Sequence, residues 1–259
     1  MRVLMIGDVV GNGGRKAVTK LLKDLKSELE IDFVTLQGEN LAGGIGLTVD
    51  NVIEMQEAGA DVITTGNHVW DKREFIEHLD DPYLPVLRPL NYPSHNPGRG
   101  ATDQSGPIAV VNLIGRVWVG EFDSPFAVID DLLAGGFGQG KPIVVDFHAE
   151  ATSEKAALAW HLDGRVAAVV GTHTHVPTAD YKVLPDGTAF VTDLGMVGAR
   201  DSILGVEVEG SLARFLSGRR QRMQPQRTGL LNFNSVVIEI DSNTGLATGI
   251  ERVDRQIHI

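Results

Sequence analysis

Short polar motifs follow five apolar stretches of this chain, and their side chains are of the types that bind metal ions or carry protons. The motifs supply Asp8, Glu39 with Asn40, Asn67 with His68, His148, and His173 with His175. Each residue alone has an ordinary explanation, because an acid or amide can cap a helix and a histidine can lie neutral in a core. Taken together, carboxylate, imidazole and amide oxygen are typical ligands of a first-row metal ion.

The candidate ligands are too numerous for one ion. Two metal ions about 3.5–4 Å apart, bridged by a carboxylate and a hydroxide, would use all of them. His173 and His175 are two residues apart, so each ion can receive one imidazole. The chain has no cysteine, which excludes thiolate ligands, Fe–S clusters and disulfides. The remaining nitrogen and oxygen ligands fit iron, manganese or zinc.

A parallel sheet would bring these motifs together. Apolar runs predict buried strands at residues 3–6, 32–37, 60–64, 142–147 and 166–170. Each run leads, directly or through a glycine, into one of the polar motifs. The carboxyl ends of parallel strands meet at one edge of a sheet, where α/β proteins bind ligands, so we expect the polar side chains to converge there. Helices are predicted at residues 15–30, 48–58, 72–79, 126–134 and 152–163.

Other segments are predicted to surround this core. The glycine-rich stretch 7–14 is expected to form a turn, but it lacks the spacing of a dinucleotide or P-loop motif. Residues 80–105 carry five prolines and predict a long loop that covers one side of the site. A helix is expected near the end of residues 202–217. Hairpins are predicted from residues 107–113 with 116–122, 181–184 with 188–192, and 235–241 with 246–253.

Length and charge limit the classes of function. The 259 residues show no internal repeat and no linker, so we expect one domain over residues 1–259. The net charge of -11 argues against a surface that coats DNA or binds an anionic membrane. No apolar run is long enough for a signal peptide or a membrane span, so a cytoplasmic enzyme is expected. A solvated face, or a subunit contact in a homo-oligomer, is the interpretation of Arg214, Arg219, Arg220 and Arg222.

The order of the motifs resembles that of the calcineurin-like metallophosphoesterases. The resemblance is carried by Gly7-Asp8, Gly66-Asn67-His68, His148 after a strand, and Gly171-Thr172-His173-Thr174-His175. Two positions depart from the common pattern of that superfamily, Asp-x-His followed by Gly-Asp. Val10 stands where the histidine of Asp-x-His would be, and Gly38-Glu39-Asn40 stands in place of Gly-Asp.

The motifs at these two positions are similar to those of the YmdB-like family of bacterial phosphodiesterases. The stretch Thr65-Gly66-Asn67-His68-x-Trp70-Asp71 is also similar to a motif of that family. The resemblance implies an α/β fold, a four-layer α/β/β/α sandwich of two mixed sheets flanked by helices. It implies two metal ions, with iron or manganese favoured over zinc. Asp8, Glu39 and His175 would hold the first ion, with Glu39 as the bridge. The second would be completed by Asn40, Asn67, His148 and His173.

The same resemblance implies hydrolysis of small phosphodiesters, including 2′,3′-cyclic nucleotides. A hydroxide that bridges the metals would attack phosphorus, and His68 would donate a proton to the leaving oxygen. Asp71 either orients His68 or is an ordinary acid at a helix N-terminus, and the second interpretation is favoured. Trp70 either stacks on a base or packs in the core, and core packing is favoured.

Three alternatives differ in class. A phosphomonoesterase on the same fold would use the same ligands. A metal-binding regulator would keep the ligands but would need no proton donor. An amidohydrolase barrel is disfavoured, since its His-x-His pair normally follows the first strand, whereas here the pair lies at residues 173–175 and no eightfold βα alternation is visible.

Overall fold

Two β-sheets packed face to face form the centre of the structure, a computed structural model that describes residues 1–221 and 223–259. In chain order the strands are β1 (Arg2–Val9), β2 (Phe33–Gln37), β3 (Val62–Thr64), β4 (Val86–Leu87), β5 (Ala101–Thr102), β6 (Ala109–Ile114), β7 (Ile143–His148), β8 (Ala168–Thr172), β9 (Lys182–Val183), β10 (Ala189–Val191), β11 (Met196–Ala199), β12 (Leu230–Phe233), β13 (Ser235–Ile240), β14 (Ala247–Arg252) and β15 (Arg255–His258). The helices are α1 (Gly11–Glu28), α2 (Val49–Ala58), α3 (Arg73–Ile76), α4 (Pro125–Ala134), α5 (Thr152–His161) and α6 (Val208–Ser217).

The layers follow from the alternation of side chains along the strands. In β1, Val3 and Met5 belong to the hydrophobic cluster between the two sheets, whereas Leu4 and Ile6 face the helices that cover the first sheet. A third cluster joins the second sheet to α4 and α5, which contribute Ile129 and Leu158. The predicted four-layer α/β/β/α sandwich of two mixed sheets is therefore confirmed.

Strand β1 occupies the middle of the first sheet, whose order is β15-β12-β11-β1-β2-β3-β4. One edge of β1 pairs in parallel with β2. Its other edge pairs antiparallel with β13 over Arg2–Ile6 and then in parallel with β11 over Asp8–Val9. The second sheet has the order β5-β6-β7-β8-β10-β9, with β6, β7 and β8 parallel. The end of β1 that carries Asp8 thus lies between parallel neighbours.

The glycine-rich stretch 7–14 was predicted to form a turn, and this prediction is wrong. The stretch forms the end of β1 and the first turn of α1. Helix α1 begins at Gly11 rather than near residue 15, and no side chain caps it. Glycine is required at position 14, because a Cβ atom there would lie 2.3 Å from the carbonyl oxygen of Val197 in β11. Asp8 is therefore not a helix cap and remains available to the site.

Residues 116–122 are not the second strand of a hairpin. Strand β6 pairs instead with β5 and β7, and the carboxylate of Glu154 accepts hydrogen bonds from the backbone N–H groups of Arg116 and Val117. These side-chain hydrogen bonds take the place of a strand partner. Segment 80–105 is likewise not loop throughout, since it contains β4 and β5.

The other predictions vary in accuracy. The hairpins β9–β10 and β13–β14 and the helix α6 are confirmed. The helix predicted at residues 72–79 is only the short α3, and strands β11, β12 and β15 were missed. Within the basic run Arg214, Arg219 and Arg220 are exposed, and Arg222 lies outside the described residues. No helix in the described part of the chain combines the length and apolar character needed to cross a membrane.

Candidate metal centre

All predicted metal ligands lie at the carboxyl end of a strand or in the segment that follows it. Asp8 belongs to β1 and His148 ends β7, so parallel pairing places both at the same end of their sheets. Contacts between the side chains join the two sheets at this edge. The contacts divide the set into an Asp8 side (Asp8, Asn40 and His175) and a His148 side (Asn67, His148 and His173), with Glu39 also touching His148.

On the Asp8 side, oxygen and nitrogen atoms face each other without close pairing. Asp8 is fully buried, and its Oδ2 accepts a 3.2 Å hydrogen bond from the backbone N–H of His173. Its Oδ1 has no hydrogen-bond partner within the described residues and lies 3.8 Å from His175 Nε2. Asn40 Oδ1 is 3.3 Å from the same nitrogen. Burial raises the pKa of Asp8 to about 7, against the opposing effect of His175 and His148.

On the His148 side, the side chains already bond to one another. His148 Nε2 lies 3.0 Å from His173 Nδ1, 3.2 Å from Glu39 Oε1 and 3.2 Å from Asn67 Oδ1. The ligand atoms of Glu39, His148 and His173 all lie within 4.8 Å of one another, which is compact enough for them to hold one metal ion.

The charges on the His148 side are strongly coupled. Burial alone would raise the pKa of Glu39, but the charge of His148 and its hydrogen bond, together with His68, lower it to about 2. Burial alone would lower the pKa of His148, but Glu39 and then Asp8 raise it to about 9. Burial, followed by the charge of His148, lowers the pKa of His173 to about 3. In the metal-free protein, Glu39 and His148 therefore form a buried ion pair, and His173 is neutral near pH 7.

The backbone around these ligands is tightly constrained. A Cβ atom at Gly66 would lie 2.2 Å from the His148 ring and 2.5 Å from Glu39 Oε2, so only glycine fits between the motifs. His173 and His175 have φ angles of 98° and 64°, a strained region for residues with a side chain. Surrounding contacts must hold this loop in place.

A buried ion pair stabilises the loop that carries His173 and His175. Lys155 Nζ donates to Asp193 Oδ2 at 2.7 Å, and both side chains are almost fully buried. The same carboxylate oxygen accepts a 3.1 Å hydrogen bond from the backbone N–H of Thr174, between the two histidines. Lys155 and Asp193 were not predicted, and no local pattern in the sequence marks them. Lys155 lies in α5 and Asp193 follows β10, and the two meet only when α5 packs on β8, the neighbour of β10 in the sheet.

His68 lies outside the ligand cluster. Its backbone N–H donates to Glu39 Oε2 at 3.0 Å, while its side chain is about one-third exposed. Its Nδ1 lies 2.5 Å from Asp71 Oδ2. The favoured interpretation of Asp71 was wrong: the residue precedes α3 by two positions and pairs with His68. Trp70 packs against the core and edge-on to Tyr92, as predicted.

The donor atoms fit metal ions. The buried Oδ1 atom of Asp8 lacks a hydrogen-bond donor within the described residues, and a cation nearby would satisfy it. Imidazole nitrogen and carboxylate or amide oxygen are the mixed donors expected for a first-row metal.

Comparison with known proteins agrees with this architecture. A family model described as YmdB-like protein matches residues 4–253. The chain belongs to this family. It is 46% identical over 257 residues to the 2′,3′-cyclic-nucleotide 2′-phosphodiesterase of Bacillus subtilis (strain 168), covering 98% of this chain and 96% of that protein.

Two solved structures have the same fold throughout. A hypothetical protein from Thermus thermophilus is 41% identical with a TM-score of 0.90, over 99% of each chain. A protein described as a novel phosphatase from Mycoplasma pneumoniae is 32% identical with a TM-score of 0.91, over 99% of this chain and 93% of that one.

In this YmdB-like chain, three buried polar residues support His148 and were missed from the sequence. His148 Nδ1 lies 3.0 Å from both Gln37 Nε2 and Thr172 Oγ1, and Thr172 Oγ1 donates to Asp146 Oδ1 at 2.7 Å. Asp146 also accepts from Thr64 of the other sheet, and burial raises its pKa. A signal was present, because an acid in the apolar run 142–147 must find partners when that strand is buried.

Proposed function

We propose that this protein is a metal-dependent phosphodiesterase that hydrolyses small phosphodiesters, with 2′,3′-cyclic nucleotides as the expected substrates, at a centre of two metal ions. The observation that carries the proposal is the separation of the ligands into the Asp8 side and the His148 side, with Glu39 acting electrostatically on both. Glu39 touches His148 directly and also raises the pKa of Asp8. The name of the Bacillus subtilis relative supports the substrate class.

The proposed ligands of the first ion are Asp8, Glu39, Asn40 and His175. Asn40 is assigned here rather than to the second ion, because its Oδ1 lies beside His175 Nε2. Val10 is buried and offers no ligand where related motifs have a histidine, so Asn40 would supply the missing donor.

The proposed ligands of the second ion are Glu39, Asn67, His148 and His173. Glu39 would serve both ions, since a bridging carboxylate needs one oxygen near each side. Iron or manganese is the proposed metal because the family resemblance favours them, while the donor set also fits zinc. The proposal treats residues 1–259 as a single metallophosphoesterase domain that works in the cytoplasm.

When bound, the metal pair supplies an acidified water molecule and positive charge for the phosphoryl oxygens. The remaining task of the chain is to protonate the leaving oxygen. His68 suits this role because Asp71 occupies its Nδ1, which leaves Nε2 free to carry a proton toward the substrate. The contact with the Asp71 carboxylate also fixes the orientation of the ring. The bond from His68 N–H to Glu39 ties the position of the acid to the ligand cluster.

Hydrolysis of phosphomonoesters at the same centre is the second candidate. The Mycoplasma pneumoniae structure is described as a phosphatase, and the centre presents the same positive charge to either ester. The two activities differ in the leaving group and in the charge of the substrate.

The test combines metal analysis with a substrate panel. The panel contains 2′,3′-cyclic and 3′,5′-cyclic nucleotides beside p-nitrophenyl phosphate and bis(p-nitrophenyl) phosphate. We expect about two metal ions per chain and the highest kcat/KM on the 2′,3′-cyclic substrates. Preference for the monoester would favour a phosphatase. No hydrolysis by a protein that contains both metals would reject the enzyme and favour a regulator.

A further inference from the structure

The three imidazoles of the centre differ in the atom that faces the other ligands. His148 and His175 direct Nε2 inward, and their Nδ1 atoms contact Thr172 Oγ1 and the carbonyl oxygen of Leu204. His173 is reversed: its Nδ1 lies 3.0 Å from His148 Nε2, and its Nε2 points away. The outer nitrogen of His173 therefore needs a partner of its own.

That partner is Glu150, two residues after His148 on the same strand end. Glu150 Oε2 lies 3.2 Å from His173 Nε2, and its side chain is about half exposed. Among residues 1–221 and 223–259, no lysine or arginine forms an ion pair with Glu150. The position is outside the buried core, so its carboxylate has no evident role in folding.

The contact determines which nitrogen of His173 carries the proton. An ionised carboxylate only accepts hydrogen bonds, so a neutral His173 must place its N–H on Nε2. The lone pair is then on Nδ1, facing His148 and the metal ligands. A histidine that binds a metal ion commonly donates its other N–H to a carboxylate, which fixes the ring and raises its basicity.

We propose that Glu150 is a positioning residue that fixes the tautomer and orientation of His173, and thereby sets the affinity of the His148 side for its metal ion. This inference rests on the metal centre of the proposed function. Of the three imidazoles, His173 alone has an exposed carboxylate on its outer nitrogen. The orientation of His148 and His175 depends on interior hydroxyl, amide and backbone groups instead.

The test compares Glu150→Ala, which removes the acceptor, with Glu150→Gln, which keeps an acceptor but removes the charge. Glu121→Ala is the matched control, since Glu121 is an exposed acid outside the set of proposed ligands. Mn²⁺ affinity is measured by titration with a competing chelator. We expect Glu150→Ala to weaken one of two sites by about 10–100-fold and Glu150→Gln to weaken it less. The control should match the wild type.

A second measurement does not need metal. In the metal-free proteins, ¹⁵N NMR of the histidine rings should show His173 protonated on Nε2 in the wild type and redistributed in Glu150→Ala. Unchanged Mn²⁺ affinities with an unchanged tautomer would overturn the role of Glu150, as would equal weakening of both sites. If the wild type fails to bind two Mn²⁺ ions, the proposed centre fails, and the NMR result alone decides whether Glu150 positions His173.

Discussion

The Asp8 side and the His148 side contain similar ligands, but the pKa of the buried carboxyl group is raised on the Asp8 side and lowered on the His148 side. On the His148 side, an imidazole and a carboxylate bond at 3.2 Å, and the pKa of Glu39 falls to about 2. On the Asp8 side, the nearest imidazole nitrogens are 3.8 and 3.9 Å from Asp8 Oδ1, and burial raises the pKa of that acid to about 7. Burial is similar on both sides, so the difference comes from pairing.

The difference shows how a metal site can be stable before metal binds. A buried carboxylate costs free energy unless it is paired, and the Glu39–His148 pair meets that need. Asp8 lacks such a pair, so a bound cation would supply the partner that its carboxylate does not have. Binding on the His148 side must displace a proton from His148, whose pKa is raised to about 9.

Glu39→Gln should have the largest effect, because it removes the charge that the two sides share. We expect loss of one or both metal ions and a fall in kcat of at least about 10²–10³-fold, the usual scale for loss of a single electrostatically stabilising group. Metal analysis and kinetics measure both effects. Two ions per chain in this variant would show that Glu39 is not the bridge.

His68→Ala tests whether His68 acts as the proton donor without being needed for metal binding on either side. We expect metal content to persist while diesterase turnover falls by about 10²-fold or more, the usual scale for lost acid catalysis. Turnover of bis(p-nitrophenyl) phosphate should fall less than turnover of a cyclic nucleotide. The p-nitrophenolate leaving group is stable without a proton, so it does not need the general acid. Unchanged turnover on both substrates would remove His68 from the mechanism.

Asp8→Asn tests whether the unpaired carboxylate of Asp8 destabilises the metal-free protein. Near pH 8 the raised pKa of about 7 still leaves Asp8 mostly ionised in the metal-free protein. We expect the variant to be more stable than the wild type by about 1–3 kcal/mol, because it removes this buried, unpaired charge. Asp193→Asn is the matched contrast, because Asp193 is equally buried but paired with Lys155. Loss of the Asp193–Lys155 ion pair should lower the free energy of unfolding by about 3–5 kcal/mol. Urea unfolding measures both, and destabilisation by Asp8→Asn would contradict the comparison.

The pH dependence of stability should be the smallest effect. The raised pKa of His148, about 9, contributes stability that is full below the unfolded value of 6.5 and is lost as pH rises through 9. The raised pKa of Asp8, about 7, acts in the same direction, because the protonated acid is favoured. Metal-free protein should therefore have a lower Tm at about pH 9 than at about pH 6.

Added metal should oppose this loss, since the ligands bind it in their deprotonated forms. Thermal unfolding with and without Mn²⁺ across that pH range provides the measurement. At the acid end the lowered pKa of Glu39, about 2, has the reverse sign: its stability is present above 4.5 and lost as pH falls toward 2. A Tm of metal-free protein that rises from pH 6 to 9 would contradict both assignments.

Much of the fold was visible because buried parallel strands have continuous apolar sequences. The strands that lead to Glu39 and to His148 were located within one residue, whereas β1 extends three residues beyond its predicted end and includes Asp8. Strand β11 was missed, because its four residues, Met196–Ala199, are short and contain a glycine. The turn at residues 116–122 was mistaken for a strand because its apolar residues resemble one, although Val117 and Trp118 are exposed.

The sequence by itself determined which side chains stand at the strand ends, since each follows an apolar run in a recognisable motif. Only the tertiary structure decided how they pair. Asn40 lies beside His175 because the two sheets pack with those loops opposed. Asp71 reaches His68 because a turn, closed by a hydrogen bond from Asp71 N–H to the carbonyl oxygen of His68, brings the two side chains together. Glu150 meets His173 across β7 and β8, which are adjacent in the sheet but separated by α5 in the chain. Local sequence determines strand ends, whereas pairing depends on distances across the packed sheets.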